Sequence, residues 1–427
     1  MIQEFSFENM YSIKTRQTIS FETNSSENDT TNYFVNIGGK KISKIAALFG
    51  PNAAGKSNMI HAFESCFQFM MNAFTDLKPK EETGFKPFLF DEKIAKKPGH
   101  FEIIFFMNEI KYEYLLIFDT NCVHKESLYF SPKGQKKLIF ERLCKDPYSQ
   151  WENIEYDYKW GDIFTGAKSR IASMTRPNVT FFNTAAQLHH PKIQKIYNWL
   201  EITHLPIIIP SQQDLLIWTI EQIENDNKKK KDLLSFLANA GFEHINDIVI
   251  NNKEIPPSFL ERLPENERVE FKGPDGKFIF KEILITHKYK NGYNLPVYDE
   301  SRGTHRMLEL AGPLLTIMYN KMFLCIDEIE ASLHENLQEF LLKTFLENSS
   351  GSQIIFTTHN QTLMDSGLLS DDSIWLVEKG EDGGSTYNCL AHRPGIRKAS
   401  SRTKLYKDGK LGALPNISEY KIDNNEE

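Results

Sequence analysis

Ile45-Ala-Ala-Leu-Phe49 is a continuous apolar run, Gly50-Pro-Asn-Ala-Ala-Gly55-Lys56-Ser57 follows it, and Met59, Ile60, Phe63, Phe67, Met70, Met71 and Phe74 then recur at helical spacing. A short run that is apolar at every position reads as a strand covered on both faces, the setting of a parallel sheet. The glycines let the backbone curl so that successive N–H groups and a helix N-terminus point at one anion. The stretch satisfies G-x-x-x-x-G-K-[ST] in the strand–loop–helix context that this pattern needs. Gly50, Pro51, Asn52, Ala53, Ala54, Gly55, Lys56, Ser57 and the adjoining Asn58 are therefore the expected phosphate cradle. Lys56 is expected at the β and γ phosphates and Ser57 on Mg²⁺, so ATP and Mg²⁺ are the implied ligands.

Three further stretches fit the same chemistry. Phe323-Leu-Cys-Ile326 reads as a buried strand ending in Asp327 and Glu328. Such a strand can hold one carboxylate toward Mg²⁺, assigned to Asp327, while Glu328 acts as general base or orients the attacking water. Glu300-Ser301-Arg302-Gly303-Thr304 opens a helix just upstream. Ser301 and Gly303 there offer a hydroxyl and backbone N–H groups to a γ-phosphate, although Ser-x-Gly before a helix is also an ordinary N-cap. Ile354-Ile-Phe-Thr357-Thr358-His359 is another buried strand, and His359 is expected to sense the γ-phosphate and order the water.

Around these motifs, residues 100–130 alternate as a β meander, 192–248 are mostly helical in pattern, and 269–290 alternate again. The last third alternates helix and buried strand, which implies a parallel sheet with helices on its faces. The expected organisation is an N-terminal lobe over 1–190 with the cradle and meander, a helical insertion over 191–265, and a C-terminal lobe over 266–427 with Ser301, Asp327 and His359. A chain of 427 residues, 40% hydrophobic, can bury a large core, which excludes a disordered tail protein. A net charge of -7 disfavours a nucleic-acid-coating surface and leaves local basic patches such as Lys228–Lys231. The five cysteines are scattered, so neither a zinc site nor a disulfide framework is expected. No secretion leader is read in the strand-like first residues, the longest apolar stretches are too short for a membrane span, and a cytoplasmic location is expected.

The order of cradle, long insertion, Ser301–Gly303, Asp327-Glu328 and His359 resembles the ABC-type ATPase heads of SMC, RecF and OLD proteins. Phe5–Ile13, Gly50–Asn58, Thr184–His189, Glu300–Ala311, Ile326–His334, Thr357–Asn360 and Lys404–Pro415 are further similar to the RloA/AbiLi type of bacterial ATPase, which includes the ATPase subunit of PARIS. The resemblance implies an α/β fold with an ABC-ATPase-like P-loop NTPase core, an antiparallel β subdomain and a helical insertion. It implies ATP hydrolysis in a sandwich dimer or higher oligomer, with Ser301 and Gly303 of one protomer meeting the nucleotide on Lys56 and Ser57 of another. It also implies a switch that controls an operon-encoded effector, a nuclease or toxin, in antiphage defence. Departures are Arg302 where glycine is usual, His334 where aspartate is common, and no identifiable Q-loop glutamine between Lys56 and Ser301. Two alternatives stay open. One is a RecF/SMC-like DNA-maintenance ATPase gripping phosphates through Lys228–Lys231, Lys96-Lys97 and Lys136-Lys137. The other is a scaffold signalled by ATP binding alone.

Overall fold

Strand β5 (Ile45–Phe49) is buried at all of its residues, and parallel neighbours flank it on both sides. The structure is a computed structural model that describes residues 1–23, 32–210, 213–255, 257–260, 277–289, 292–394 and 401–414. Compact unit one comprises Met1–Pro210, Ile317–Glu330 and Leu341–Glu427; unit two comprises Ser211–Thr316 and Ala331–Phe340. The boundary expected at 190/191 falls inside unit one.

Unit one holds two larger sheets. Before β5 come β1 (Ile2–Glu8), β2 (Gln17–Ser20), β3 (Phe34–Ile37) and β4 (Lys40–Ser43). After it come helix α1 (Lys56–Asp76) and the meander β6 (Gly99–Met107), β7 (Ile110–Phe118), β8 (Val123–Ser131), β9 (Lys137–Cys144) and β10 (Tyr156–Trp160). The antiparallel sheet runs β10-β9-β8-β7-β6-β1-β2. Helices α2 (Lys168–Met174), α3 (Phe181–Gln187) and α4 (Pro191–Thr203) follow, and α4 begins with proline at a position where no N–H is missed.

The remaining elements return to the centre. Unit two contributes α5 (Gln213–Glu224), α6 (Asn227–Leu237) and the strands β11 (Ile245–Glu254), β12 (Ile279–His287) and β13 (Tyr293–Pro296), which pair in that order. The end of the stretch expected to be helical, residues 245–248, is thus the start of a strand. Of the expected strand region 269–290, residues 269–276 and 290 lie outside the described residues. Helices α7 (Arg302–Tyr319) and α8 (Glu335–Asn348) bracket β14 (Phe323–Ile326). Then come β15 (Gln353–Thr358), β16 (Ile374–Lys379), β17 (Ser385–Cys389) and α9 (Arg402–Lys407), giving the sheet order β14-β15-β5-β16-β17. All pairs are parallel except β16–β17, and the segment through His204 and Ile208 bridges to the free edge of β14. This is a mixed α/β fold, a P-loop core joined to an antiparallel β subdomain.

Specific side chains join the layers of unit one. Gln353 accepts from the Ile2 N–H at 2.6 Å and donates to the carbonyls of Ile2 (2.8 Å) and Ser43 (3.2 Å), so one amide stitches β1 to the parallel sheet. Phe63 on α1 packs on Phe5 (4.8 Å), Phe323 (5.0 Å) and Phe101 (6.5 Å), rings drawn from both sheets. Lys44 is buried because its ammonium donates to Leu346 O and Ser349 O, carbonyls at the negative end of α8. In unit two, Gly312 lets α5 approach α7, since a Cβ there would lie 2.3 Å from Thr219 Oγ1.

Candidate functional site: a phosphate cradle between strand β5 and helix α1

The loop from Gly50 to Gly55 takes the shape its composition allows. A Cβ on Gly50 would stand 2.4 Å from the Val377 carbonyl oxygen, a backbone atom, so only glycine fits beside β16. Gly55 has φ +106°, the left-handed region that favours glycine, and a Cβ there would meet Ser385 Oγ at 2.1 Å. Ala53 also sits at positive φ. Helix α1 then starts with no side-chain cap and no acidic residue in its first turn, which leaves its N–H donors and positive dipole end for an external anion.

The expected residues of unit one converge. Ser57 Oγ donates to Asp327 Oδ1 at 2.9 Å, and Thr357 Oγ1 donates to the same oxygen at 2.6 Å. Lys56 Nζ lies 3.0 Å from His359 Nε2 and donates to the carbonyls of Gly50 (3.0 Å) and Pro51 (3.1 Å). Burial pulls the Lys56 ammonium below its ordinary value, against the attraction of Glu330, Asp327 and Glu328. Burial, and next the Lys56 charge, likewise hold the His359 imidazole below its ordinary value. A neutral imidazole can accept from Lys56, which is the pairing the geometry shows. Glu328 follows β14 at positive φ, with its backbone N–H held by Thr357 Oγ1 at 2.7 Å.

Ser57 and Asp327 present hard oxygen donors side by side, a pair suited to Mg²⁺. The backbone curl of 50–55 and the uncapped α1 suit a polyphosphate. Asn58 points elsewhere: its amide donates to Ser12 Oγ at 2.8 Å. Ser301 and Gly303 belong to unit two, where Ser301 Oγ accepts from the Thr304 N–H at 3.1 Å, the capping geometry at the start of α7. Lys228–Lys231 occupy the first turns of α6, with Lys229 bonded to Gln222 and Lys230 paired with Asp247 at 2.7 Å.

Several residues of the site carried no assigned role in the sequence. Tyr387 donates to Gly55 O at 2.6 Å and Ser385 to Ala54 O at 2.6 Å, so β17 braces the loop from outside. The Ser12 and Ser385 hydroxyls are 2.7 Å apart and extend the brace to the turn after β1. Glu330 Oε1 accepts from the His359 N–H at 2.5 Å, while its other carboxylate oxygen is buried with no protein partner. A cavity of about 1120 Å³ opens beside Gly50–Asn52 and His359 and is lined also by Tyr406, Ala413 and Leu414 of the C-terminal stretch. That stretch is anchored by Arg402 on both oxygens of Asp371 and by Ala413 N on Glu378, whereas Pro415 lies outside the described residues. Paired serines, or a tyrosine near the C-terminal end, have no fixed spacing from a P-loop, so only the loop's own glycines hint that something packs this close.

No curated protein sequence matches the chain. Among solved structures it is similar to the SMC head domain from Thermotoga maritima, at 14% identity over 91% of this chain and 98% of that one, with a TM-score of 0.42. It is also similar to an Smc head domain with an extended coiled coil bound to the C-terminal domain of ScpA, from Pyrococcus furiosus, at 11% identity over 91% and 95%, with a TM-score of 0.36. Residues 45–155 and 219–365 match the family described as "AAA domain, putative AbiEii toxin, Type IV TA system". With that match spanning more than half of its length, the chain belongs to this AAA-domain family.

Proposed function

We propose that the chain binds and hydrolyses ATP and that the nucleotide state of the cradle is its signal. The observation that carries this reading is the convergence of Lys56, Ser57, Asp327 and His359, which come from three distant stretches, at hydrogen-bonding distances. Mg²⁺ held by Ser57 and Asp327 would neutralise charge on the phosphates. Lys56 and the α1 N–H groups bind and orient the polyphosphate. Glu328 orients water or takes its proton, and His359, kept neutral, accepts or passes a proton beside Lys56. Thr357 fixes both Asp327 and the Glu328 backbone, and so sets the spacing between the metal-side and water-side carboxylates.

Ser301 and Gly303 fit a role in trans, completing the nucleotide site of a second protomer and tying dimerisation to ATP. The wording of the family description, a toxin of a type IV toxin–antitoxin system, supports a place in defence, in which the switch controls an effector encoded beside it. The test is turnover by purified wild type, Lys56→Ala and Glu328→Gln with Mg²⁺. Glu328→Gln is expected to bind ATP and to hydrolyse it about 100-fold more slowly or worse. Lys56→Ala is expected to lose both binding and turnover. Wild-type turnover in Glu328→Gln removes the proposed role of that carboxylate, and undiminished binding in Lys56→Ala removes the cradle.

A further inference from the structure

Far along the chain from the cradle, the turn between β7 and β8 gathers Asp119, Cys122 and His124. One ligand atom from each, a carboxylate oxygen, a thiol sulfur and a ring nitrogen, lies within 4.8 Å of the others. The chain reads Asp119-x-x-Cys122-x-His124, with Cys122 just before β8 and His124 inside it. The scattered cysteines hide this spacing, because it is Cys-x-His with an aspartate before it and no second cysteine nearby in sequence.

The second cysteine arrives through the sheet. Leu143 pairs with Lys125 across the β8–β9 ladder, which brings Cys144 at the end of β9 alongside the start of β8. Its thiol interacts with that of Cys122. Both cysteines are buried, whereas Asp119 and His124 keep 19% and 13% side-chain exposure, which leaves an entry path from solvent. The carboxylate is already oriented. Asp119 Oδ1 accepts from the N–H groups of Asn121 and Cys122 at 2.8 and 2.9 Å, and Oδ2 faces His124 Nε2 at 2.8 Å. A carboxylate fixed by backbone donors is the supporting arrangement that metal ligands require.

We propose that Asp119, Cys122 and His124, with the neighbouring Cys144 thiol drawn in as the fourth ligand, form a structural binding site for a zinc-like divalent ion, closing the end of the β7–β8–β9 meander. Two thiolates, an imidazole and a carboxylate oxygen form a four-donor set of the borderline-soft kind that selects zinc over magnesium or calcium. The turn is also where separate segments meet. Thr83 bonds the carbonyls of Thr120 and Asp119, Val123 N–H bonds Pro177 O, and Tyr156 Oη donates to Val123 O. An ion there would hold the loops on both sides of the meander to its edge.

The experiment uses the reduced full-length chain, stripped with chelator and titrated with Co²⁺ and then Zn²⁺. Expected are one equivalent of Co²⁺ with a thiolate-to-metal absorption band, and displacement of that band by Zn²⁺. Magnesium-type sites at the cradle contain no sulfur, so the band does not report on them. Cys122→Ser should abolish the band, and His124→Gln should weaken Co²⁺ binding at least tenfold, as for a lost ligand. Absence of the band in the reduced wild type overturns the proposal, and that result does not depend on whether any variant folds. Retention of the band in Cys122→Ser overturns it too, as does a Cys122–Cys144 disulfide in protein purified without reductant and without bound metal.

Discussion

Two single residues set limits that can be measured. Gly50 has no room for a side chain against the Val377 carbonyl, so Gly50→Ala must push the loop off β16. The expected cost is on the order of 1–3 kcal/mol in urea unfolding, and an unchanged midpoint would show that β16 yields freely. His100 offers a pH readout. Burial, and next the Arg16 charge, push it down from 6.5 to about 4, and its Nδ1 is buried without a hydrogen-bond partner. A folded value below the unfolded one means that the unfolded chain binds the proton first. Its share of stability is therefore present above pH 6.5 and is lost as pH falls through about 4. His100→Gln should flatten the stability–pH curve across that window, and a curve as steep as wild type assigns the acid loss to other groups. At this scale the sequence was most informative where chemistry restricts identity, as at Lys56, Ser57, Asp327 and His359. It was silent on Ser12, Thr357, Ser385 and Tyr387, because a hydroxyl that braces a loop can come from any strand that passes it.

Among the elements, the meander shows both a legible and an illegible part. β6 and β7 alternate in burial along most of their length, and the matching polar–apolar alternation is visible in the residue string over His100–Ile103 and Lys111–Tyr114. β10, Tyr156-Asp-Tyr-Lys-Trp160, is an edge strand whose outward residues are exposed, so its pattern is aromatic and charged, and it escapes a search for apolar alternation. Of β11, only the start, residues 245–248, falls in the stretch expected to be helical, and the strand ends in the exposed run Asn251–Glu254. The buried pair Glu126 and Arg142 was also out of reach, since only folding brings them to 3.9 Å. Glu126 accepts from the Phe181 and Phe182 N–H groups at the start of α3, and Arg142 donates to the carbonyls of Val179 and Arg176. Arg142→Met leaves that carboxylate buried beside the helix end without its counter-charge. A loss of about 3–5 kcal/mol is expected, partly recovered in the double variant with Glu126→Leu. Equal destabilisation by the double and single variants would refute the coupling.

For the whole molecule, the decisive prediction concerns mass. With ATP and Mg²⁺, Glu328→Gln is expected to sediment as a dimer or larger, and the same protein carrying Ser301→Arg or Lys56→Ala as a monomer. Association that ignores nucleotide and both substitutions would leave Ser301 as a helix cap and nothing more. Fold class was legible at this scale because a P-loop needs a buried strand before it and a helix after it, and alternation in the last third supplies the neighbours. Unit two was less so, since β11 and β12 pair across a long separation of chain, although β12 and β13 form a close hairpin. The ring of Phe63 has a wider consequence. Because it meets Phe5, Phe101 and Phe323 together, helix α1 cannot part from one sheet while keeping the other. Amide protons in the middle of β1, β6 and β14 should then exchange with solvent at one shared opening free energy, as a single cooperative block. In Phe63→Ala that block should split into two with different exchange lifetimes, a separation visible by mass spectrometry of peptic fragments.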